Sequence, residues 1–488
     1  MIEKDTLYID GTWTPSTGSD LIEVISPHTE EVIATVPDGT AADIDAAVAA
    51  ARNTFDNTDW ATMPPAERLD IVARFADLYA ARMMDMAQVV TDEMGSPISF
   101  SQLAQAPAPW MMLNNFLELG RNWVWEESRT GMLGSPVIVR SEPVGVVAAI
   151  VPWNVPQFVT MSKLAPALVS GCTMVLKPAP ETPLDAYLMA ELLHEAGVPA
   201  GVVNIVAAGR EVGEHLVRHP GVDKVAFTGS TAAGRTIASI CGEQLKRYSL
   251  ELGGKSAAII LDDADLGSTM EGLKFASLMN NGQACVAQTR ILASRSKYDE
   301  VVEALVTTVG AMSVGDPNDP ATEIGPLVAQ RQQERVEKYI ALGQEEGARV
   351  ALGGNGMPTG LDKGWYVQPT VFADVDNSMR IAQEEIFGPV LAVIPYDDVD
   401  DAVRIANDSA YGLAGSVWTE DGDAGMDIAR RVRTGTFGVN QYTMDFVAPF
   451  GGYKASGVGR EFGKEGLEHY LELKSIVPKD GDGMSMAV

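Results

Sequence analysis

Residues 144–151, with the sequence VGVVAAIV, begin the part of the chain that decides the fold. An apolar run of this kind, followed by a helical pattern of apolar residues, recurs several times: 144–151, 157–169, 173–176, 184–196, 202–206, 211–218, 224–228 and 231–241. Short apolar strands joined by helices are typical of a parallel sheet covered by helices on both faces. The sequence therefore predicts an α/β fold with a doubly wound sheet, which the run at 257–261 is expected to continue.

The segments on either side of this repeat differ from it. Short strands are expected at 7–13, 21–25 and 32–36, and helices at 41–55 and 65–94. A second alternating block spans roughly 255–450. The tail at 466–477 alternates apolar and polar residues, a pattern that could add a strand to another subunit.

Composition excludes several classes of protein. The chain has 488 residues, 46% of them hydrophobic and 21% charged, which is typical of a globular protein with several domains. Its 66 acidic and 36 basic residues give a net charge of -30, which repels nucleic acid and anionic membrane surfaces. The apolar run at 144–151 is too short to span a membrane, and the first residues do not resemble a signal peptide. Three cysteines make no disulfide framework, so we expect a cytoplasmic protein.

Residues 227–236, FTGSTAAGRT, place small residues where a strand ends and a helix begins. Free backbone N–H groups and the helix dipole at such a turn can receive a phosphate. A plain strand-turn-helix is the simpler interpretation. Nucleotide hydrolysis is the rival, because Arg235 stands where a phosphate loop has lysine and 257–263 resembles a magnesium-binding strand. Arginine is a poor replacement for that lysine, which counts against hydrolysis.

Two residues stand out as candidates for chemistry. Cys285, in the segment GQAC, lies among small residues, and a thiolate is a strong nucleophile. Glu251, between two leucines before Gly253 and Gly254, could act as a general base if it is partly desolvated. A solvated residue at a strand end is the alternative for Glu251. A buried packing role is the alternative for any free cysteine, and it is the expected one for Cys172 and Cys241. The five histidines show no metal-ligand spacing, so no metal is expected.

Seven segments of the chain strongly resemble motifs of the aldehyde dehydrogenase superfamily and occur in the same order as in that family. They cover nearly the whole chain: Pro152-Trp153-Asn154, Lys177-Pro178, Phe227-Thr228-Gly229-Ser230, Leu250-Glu251-Leu252-Gly253-Gly254, Gly282-Gln283-Ala284-Cys285, Glu385-Ile386-Phe387-Gly388-Pro389 and Pro449-Phe450-Gly451-Gly452. In that family the turn at 228–230 lies by a dinucleotide and has no triphosphate chemistry.

The resemblance implies NAD(P)-dependent oxidation of an aldehyde to a carboxylic acid. Cys285 would attack the aldehyde, and the Asn154 amide with the Cys285 N–H would hold the oxyanion. Glu251 would activate the water that hydrolyses the thioester. Its presence favours release of a free acid over transfer of the acyl group to coenzyme A. A catalytically silent NAD-binding structural protein is the alternative outside enzymes.

The resemblance also implies a cofactor site. Lys177 and Glu385 would bind ribose hydroxyls, and Phe387 would pack at the nicotinamide side. Thr228, Gly229 and Ser230 would lie along the cofactor, with Trp153 by the adenosine-side loop. Solvated surface charges are the alternative for Lys177 and Glu385.

The chain departs from the family pattern at two places. Where many NAD-preferring relatives carry glutamate, it has Pro180 followed by Glu181, so NAD is expected while use of NADP stays open. At three positions of the substrate tunnel the chain has smaller residues than several relatives: Val155, Val159 and Ser162. These residues suggest a wide tunnel for a bulky apolar aldehyde, either terpenoid or aromatic. Three phenylalanines could line this tunnel or be ordinary core residues: Phe158, Phe446 and Phe450.

The family fold implies three regions. A dinucleotide-binding domain would comprise 1–120 and 144–252, a catalytic domain 253–455, and a β extension 121–143 with 456–488. The extension would join subunits into a homo-oligomer, either a dimer or a tetramer.

Overall fold

The computed structural model describes residues 2–132 and 134–478. Met1, Leu133 and 479–488, which the predicted regions include, lie outside the described residues.

The larger sheet has eight strands, and its five inner strands are parallel. In spatial order the strands are Gly457–Val458, Arg247–Glu251, Lys224–Thr228, Val146–Ile150, Thr173–Lys177, Val203–Ile205, Thr6–Ile9 and Thr12–Pro15. The chain starts the parallel part at Val146–Ile150, proceeds outward to Val203–Ile205, and returns to the other side at Lys224–Thr228. The predicted doubly wound sheet is therefore confirmed, with its switch point between Val146–Ile150 and Lys224–Thr228.

The second sheet has seven strands, parallel except for its first pair. In spatial order they are Arg349–Leu352, Thr370–Ala373, Val390–Tyr396, Arg290–Ser294, Ala257–Ile260, Gly415–Trp418 and Gly438–Val439. Ala257–Ile260 lies here, so the expectation that this run continues the first sheet is wrong. The place next to Lys224–Thr228 is taken by Arg247–Glu251, a strand that the apolar pattern did not predict.

Two three-stranded sheets complete the β structure. One contains Ile2–Glu3, Val32–Pro37 and Leu21–Ile25, and the other contains Leu471–Ile476, Pro136–Pro143 and Glu126–Thr130. The second of these sheets brings strands from 121–143 and from the tail together, whereas Gly457–Val458 pairs with the large sheet. The predicted domain boundaries stay a prediction.

Helices cover both main sheets. Those of the first 280 residues are Ala41–Asn57, Pro65–Ala81, Met83–Met94, Ile98–Phe100, Pro107–Asn122, Pro156–Ser170, Leu184–Glu195, Arg210–Arg218, Thr231–Gln244 and Leu266–Leu278. The later ones are Tyr298–Gly310, Gln330–Glu345, Arg380–Gln383, Val399–Asn407, Gly422–Arg431 and Gly463–Glu468. The single helix predicted at 65–94 is divided at Arg82, whose backbone (φ -109°, ψ 14°) leaves the helical region.

Helix Pro156–Ser170 is the central helix of the molecule. Nearly all of its residues are buried, including the charged side chain of Lys163. Proline at its first position suits the helix start, and Gly171 ends it in the left-handed conformation with φ 94°. The buried helix therefore holds its own first turns, and the loop before them at 151–155, in fixed positions.

Candidate active site

Loops from both sides of the switch point form the wall of a cavity of about 230 Å³. Strand Val146–Ile150 ends just before Trp153 and Asn154, and strand Lys224–Thr228 ends at Gly229 and Ser230. Parallel strands place their carboxyl ends at one edge of the sheet, and ligands of α/β sheets bind there. The cavity wall consists of Pro152, Trp153, Asn154, Val155, Val159, Thr228, Gly229, Ser230, Leu252, Gly253, Cys285, Gln332, Arg335, Glu385 and Phe387.

The turn at 228–230 has the geometry of a phosphate-binding helix start. Ser230 is the N-cap of helix Thr231–Gln244, and its hydroxyl accepts a hydrogen bond from Ala233 N at 3.3 Å. The remaining N–H groups of the first turn and the positive end of the helix dipole are available to an anion. The predicted turn between strand and helix is confirmed.

Lys177 is buried and Glu385 is partly buried, so neither is the solvated surface charge that the simpler interpretation held. Lys177 Nζ donates hydrogen bonds to Pro178 O at 2.9 Å and Ala208 O at 2.7 Å, and burial lowers its pKa to about 8. A third N–H of this ammonium group stays free. Glu385 accepts a hydrogen bond from Gly254 N at 2.9 Å, and burial raises its pKa. Glu385 belongs to the cavity wall, whereas Lys177 lies outside it.

Trp153 and Phe387 pack against each other in the wall of the cavity. Their ring centroids are 5.4 Å apart in an edge-to-face arrangement. Both residues line the same cavity, and their predicted places at the adenosine side and the nicotinamide side of the cofactor stay a prediction. Phe387 has a left-handed backbone (φ 69°), a strained conformation that clusters at functional sites.

A second cavity, of about 180 Å³, meets the first one at Cys285 and Asn154. Cys285 is partly exposed, whereas Cys172 and Cys241 are buried, which confirms the packing role predicted for those two. Burial raises the pKa of the Cys285 thiol to about 12, with further contributions from Glu385 and Glu251. In the protein alone this thiol is consequently protonated near neutral pH, and a nearby cation would be needed to favour the thiolate.

The segment before Cys285 has an unusual backbone. Asn280, Asn281 and Gly282 are all left-handed, with φ of 56°, 63° and 73°. Asn281 Nδ2 donates hydrogen bonds to Gly95 O and Pro326 O, both at 2.9 Å. Distant parts of the chain thus hold the cysteine segment in place.

Asn154 points its amide at this same segment. Its Nδ2 donates a hydrogen bond to Gln283 O at 2.9 Å, and its backbone oxygen accepts from Asn280 Nδ2 at 2.8 Å and Gln105 Nε2 at 3.3 Å. The second amide N–H of Asn154 stays available to an oxyanion. Sequence reasoning missed Asn280 and Gln105, since no pattern links residues 126 and 49 positions away from Asn154.

Glu251 lines the second cavity together with Cys285. Its side chain is buried, and neither carboxylate oxygen has a hydrogen-bond partner among the described residues. Burial raises its pKa well above the usual range, and the nearby Glu461 raises it further. The solvated position that was the alternative for Glu251 is thereby wrong.

A buried ion pair lies beside Glu251. Lys163 Nζ is 2.6 Å from Glu461 Oε1 and donates a second hydrogen bond to Thr228 Oγ1 at 2.7 Å. Lys163 lowers the pKa of Glu251 while Glu461 raises it, so the pair adjusts the protonation of this carboxyl group. The sequence contains no signal for these two residues, which lie 298 positions apart.

The rest of the second cavity is largely apolar. Phe158, Phe446 and Phe450 all belong to its wall, as do Val155 and Val159. Ser162 does not belong to this wall; it is buried, and its hydroxyl donates a hydrogen bond back to Val159 O at 2.8 Å. The expectation that Ser162 widens the tunnel directly is wrong.

Among residues 2–132 and 134–478, no group of three or more His, Cys, Asp or Glu side chains could hold a metal ion. Nor is any helix in the described part of the chain long and apolar enough to cross a membrane.

Comparison with known proteins identifies the class to which this fold and site belong. The model of the aldehyde dehydrogenase family matches residues 13–476. The chain belongs to the aldehyde dehydrogenase family.

Individual relatives are similar over their whole length. The chain is 48% identical to a geranial dehydrogenase of Castellaniella defragrans, over 97% of this chain and 99% of that protein. A Mycobacterium tuberculosis aldehyde dehydrogenase, solved with NAD+, superposes with a TM-score of 0.96 at 52% identity and covers 99% of this chain and 100% of its own. Aldehyde dehydrogenase C of Pseudomonas syringae, solved as a mutant with NAD+ and octanal, gives 0.94 at 41% identity and 98% coverage of both chains.

Proposed function

We propose that this enzyme oxidises an aldehyde to a carboxylic acid with NAD+, using Cys285, Asn154 and Glu251. The observation that carries the proposal is the meeting of two cavities at the Cys285 thiol. The first cavity begins at a helix start that suits a phosphate, and the second one is largely apolar. A cofactor and an aldehyde can thus approach one sulfur atom from two sides.

The site fits a nicotinamide dinucleotide. The helix start at Ser230 suits its pyrophosphate, and the free N–H of Lys177 and the carboxylate of Glu385 supply a donor and an acceptor for ribose hydroxyls. Trp153 and Phe387 offer an aromatic wall. When bound, NAD+ supplies the acceptor for the hydride. The structures of two relatives that contain NAD+ support this assignment.

The chain's own residues account for the remaining chemistry. The Cys285 thiol releases its proton to water, the resulting thiolate adds to the carbonyl carbon, and the electron pair of the C=O bond moves to oxygen. The free N–H of the Asn154 amide and the backbone N–H of Cys285 stabilise the resulting oxyanion. When the C=O bond reforms, the hydride leaves and a thioester remains on Cys285.

Glu251 completes the cycle as general base. Glu251 lines the cavity that would contain the thioester, and its oxygens, which have no partner among the described residues, can accept a proton from water. The water oxygen attacks the acyl carbon, the C–S bond breaks, and the acid is released. This arrangement favours hydrolysis over acyl transfer to coenzyme A.

We propose NAD as the preferred cofactor over NADP. Glu181 and Asp38 lie close enough to Lys177 to raise its pKa against the effect of burial. Carboxylates near the ribose-binding lysine repel a 2'-phosphate. Glu181 thereby replaces the glutamate that many NAD-preferring relatives carry at the position of Pro180. Its ion pair with Arg331 reduces the repulsion that Glu181 exerts on a 2'-phosphate.

A bulky apolar aldehyde, terpenoid or aromatic, is the proposed substrate. The phenylalanine-lined cavity and its small residues Val155 and Val159 accommodate such a molecule. The names of two relatives support this class, since one is a geranial dehydrogenase and the other was solved with octanal.

We also propose a homo-oligomer, a dimer or a tetramer, located in the cytoplasm. Strand Leu471–Ile476 is at the edge of its three-stranded sheet, and Leu473 and Val477 are 73% and 71% exposed. An unpaired edge with exposed apolar residues favours association with a second copy. Free cysteines fit a reducing compartment. Light scattering after gel filtration measures the oligomer.

Reduced-nicotinamide absorbance tests the reaction, with NAD and NADP offered separately to a panel from acetaldehyde to citral and benzaldehyde. We expect turnover with NAD and larger aldehydes, and none with Cys285→Ser. Acetaldehyde far ahead of all larger aldehydes would refute the substrate class. Binding of NAD without turnover of any aldehyde would establish the silent binding protein instead.

A further inference from the structure

Two residues of the substrate-cavity wall carry buried polar atoms that the proposed reaction does not use. They are the side-chain oxygen Oε1 of Gln105 and the hydroxyl group of Tyr442, and neither has a hydrogen-bond partner among the described residues. Both residues line the cavity, and they are only 2% and 6% exposed. Buried polar atoms without partners are costly, so two in one apolar cavity indicate a ligand that supplies them.

The orientation of the Gln105 amide follows from its neighbours. Asn280 Nδ2 donates to two carbonyl oxygens, Asn154 O and Gln283 O, at 2.8 and 3.3 Å, so Asn280 Oδ1 must be an acceptor. Gln105 Nε2 donates to that oxygen at 3.1 Å and to Asn154 O at 3.3 Å. The amide nitrogen is thereby fixed on the side of the cysteine segment. Its oxygen remains as an acceptor without a partner among the described residues, on a residue that lines the cavity.

The backbone at Gln105 supports the same conclusion. Residues Ser101–Gln105 form a single turn of π-helix. Such turns are rare and occur frequently at functional sites. Here the turn ends at the residue whose side chain joins the cavity to the Asn154 loop.

Tyr442 supplies the complementary group. Burial and the nearby Cys285 raise the pKa of its phenol, so the hydroxyl stays protonated and can donate a hydrogen bond. Apart from Thr443, which is exposed, the other polar side chains of the cavity wall are already engaged or belong to the reaction. Thr228 and Glu461 accept from Lys163, and Asn154 donates to Gln283.

We propose that Tyr442 and Gln105 form a subsite for a hydroxyl group carried by the aldehyde, a specificity that rests on the proposed function. One hydroxyl can accept a hydrogen bond from Tyr442 and donate one to Gln105 Oε1. A ketone or ether oxygen would satisfy Tyr442 alone. The substrate class is therefore an aldehyde with an apolar body and one hydroxyl group away from the reacting carbon.

Matched substrate pairs test this subsite. The pairs are 3- and 4-(hydroxymethyl)benzaldehyde against 3- and 4-ethylbenzaldehyde, and 8-hydroxyoctanal against nonanal. Members of a pair have nearly the same shape, and these hydroxyl groups do not ionise near neutral pH. We expect kcat/KM of the best hydroxylated member to exceed that of its partner by about tenfold. In Tyr442→Phe, which keeps the ring, this ratio should fall to about 1.

Tyr470→Phe is the matched control. Tyr470 is 3% exposed and its hydroxyl also has no partner among the described residues, but it lies outside the cavity wall, with Lys224 Nζ 4.9 Å from its ring centroid. Its removal should leave the ratio unchanged. Ratios at or below 1 for all three pairs, an unchanged ratio in Tyr442→Phe, or an equal fall in Tyr470→Phe would each overturn the subsite. Turnover of none of these aldehydes would refute the proposed function itself.

Discussion

Gly282→Ala is a direct test of how the cysteine segment is held. Gly282 has φ 73° and stands three residues before Cys285. A Cβ atom there would lie 2.6 Å from the backbone nitrogen of Pro389 and closer still to the carbonyl group of Gly388. Both neighbours are backbone, which cannot rotate away as a flexible side chain could. The cysteine segment and the loop after Phe387 would have to separate.

The size of the effect follows from these contacts. Carbon atoms in contact need about 3.5 Å, so the two segments must move apart by about 1 Å. A left-handed backbone costs alanine a further 1–2 kcal/mol, roughly. A misplacement of about 1 Å at a reacting group can lower turnover about 100-fold, which is the loss we expect in kcat/KM.

The assay is formation of reduced nicotinamide with a saturating cofactor, together with a thermal unfolding curve. Gly242→Ala is the control, because a Cβ at Gly242 meets nothing within 4 Å and the residue lies in the last turns of helix Thr231–Gln244. It should keep full activity and unfold at the same or a slightly higher temperature. The reasoning is refuted if Gly282→Ala retains kcat/KM within about twofold of the natural protein.

Four further predictions concern the catalytic groups. Glu251→Gln should form one reduced nicotinamide per site in a burst and then turn over about 10²- to 10⁴-fold more slowly, and an unchanged steady state would contradict its role as base. The turnover number kcat should fall with decreasing pH as Glu251 gains a proton. Because Glu461 raises the pKa of Glu251, Glu461→Gln should move this acid limb of kcat to lower pH. The pKa of the Cys285 thiol is about 12, so its rate of reaction with iodoacetamide in the protein without cofactor should rise about tenfold per pH unit between pH 7 and 9. A rate that levels off within this range would exclude that pKa. Asn154→Ala should lower kcat about 10²- to 10³-fold, with a smaller change in KM, in steady-state kinetics.

Local pattern predicted the inner strands and helices of the first sheet closely, and it failed where the deciding contacts are distant. Strand Arg247–Glu251 has polar residues and follows helix Thr231–Gln244 almost at once, so no apolar run marks it. Ala257–Ile260 is apolar enough for either sheet, and only its pairing with Arg290–Ser294 and Gly415–Trp418 assigns it. Strand pairing is a long-range property that a local pattern does not contain.

The sequence by itself determined the α/β class, the family, and the residue types at Cys285, Glu251 and Asn154, because these depend on local periodicity and on motifs in a fixed order. The tertiary structure alone decided how these groups behave. Burial by separate elements raises the pKa values of Cys285 and Glu251. Chain segments far apart in sequence pack around one cavity, and only this packing brings Lys163, Glu461 and Gln105 to the site. The low dielectric inside the protein strengthens electrostatic interactions there and makes each unpaired polar atom costly.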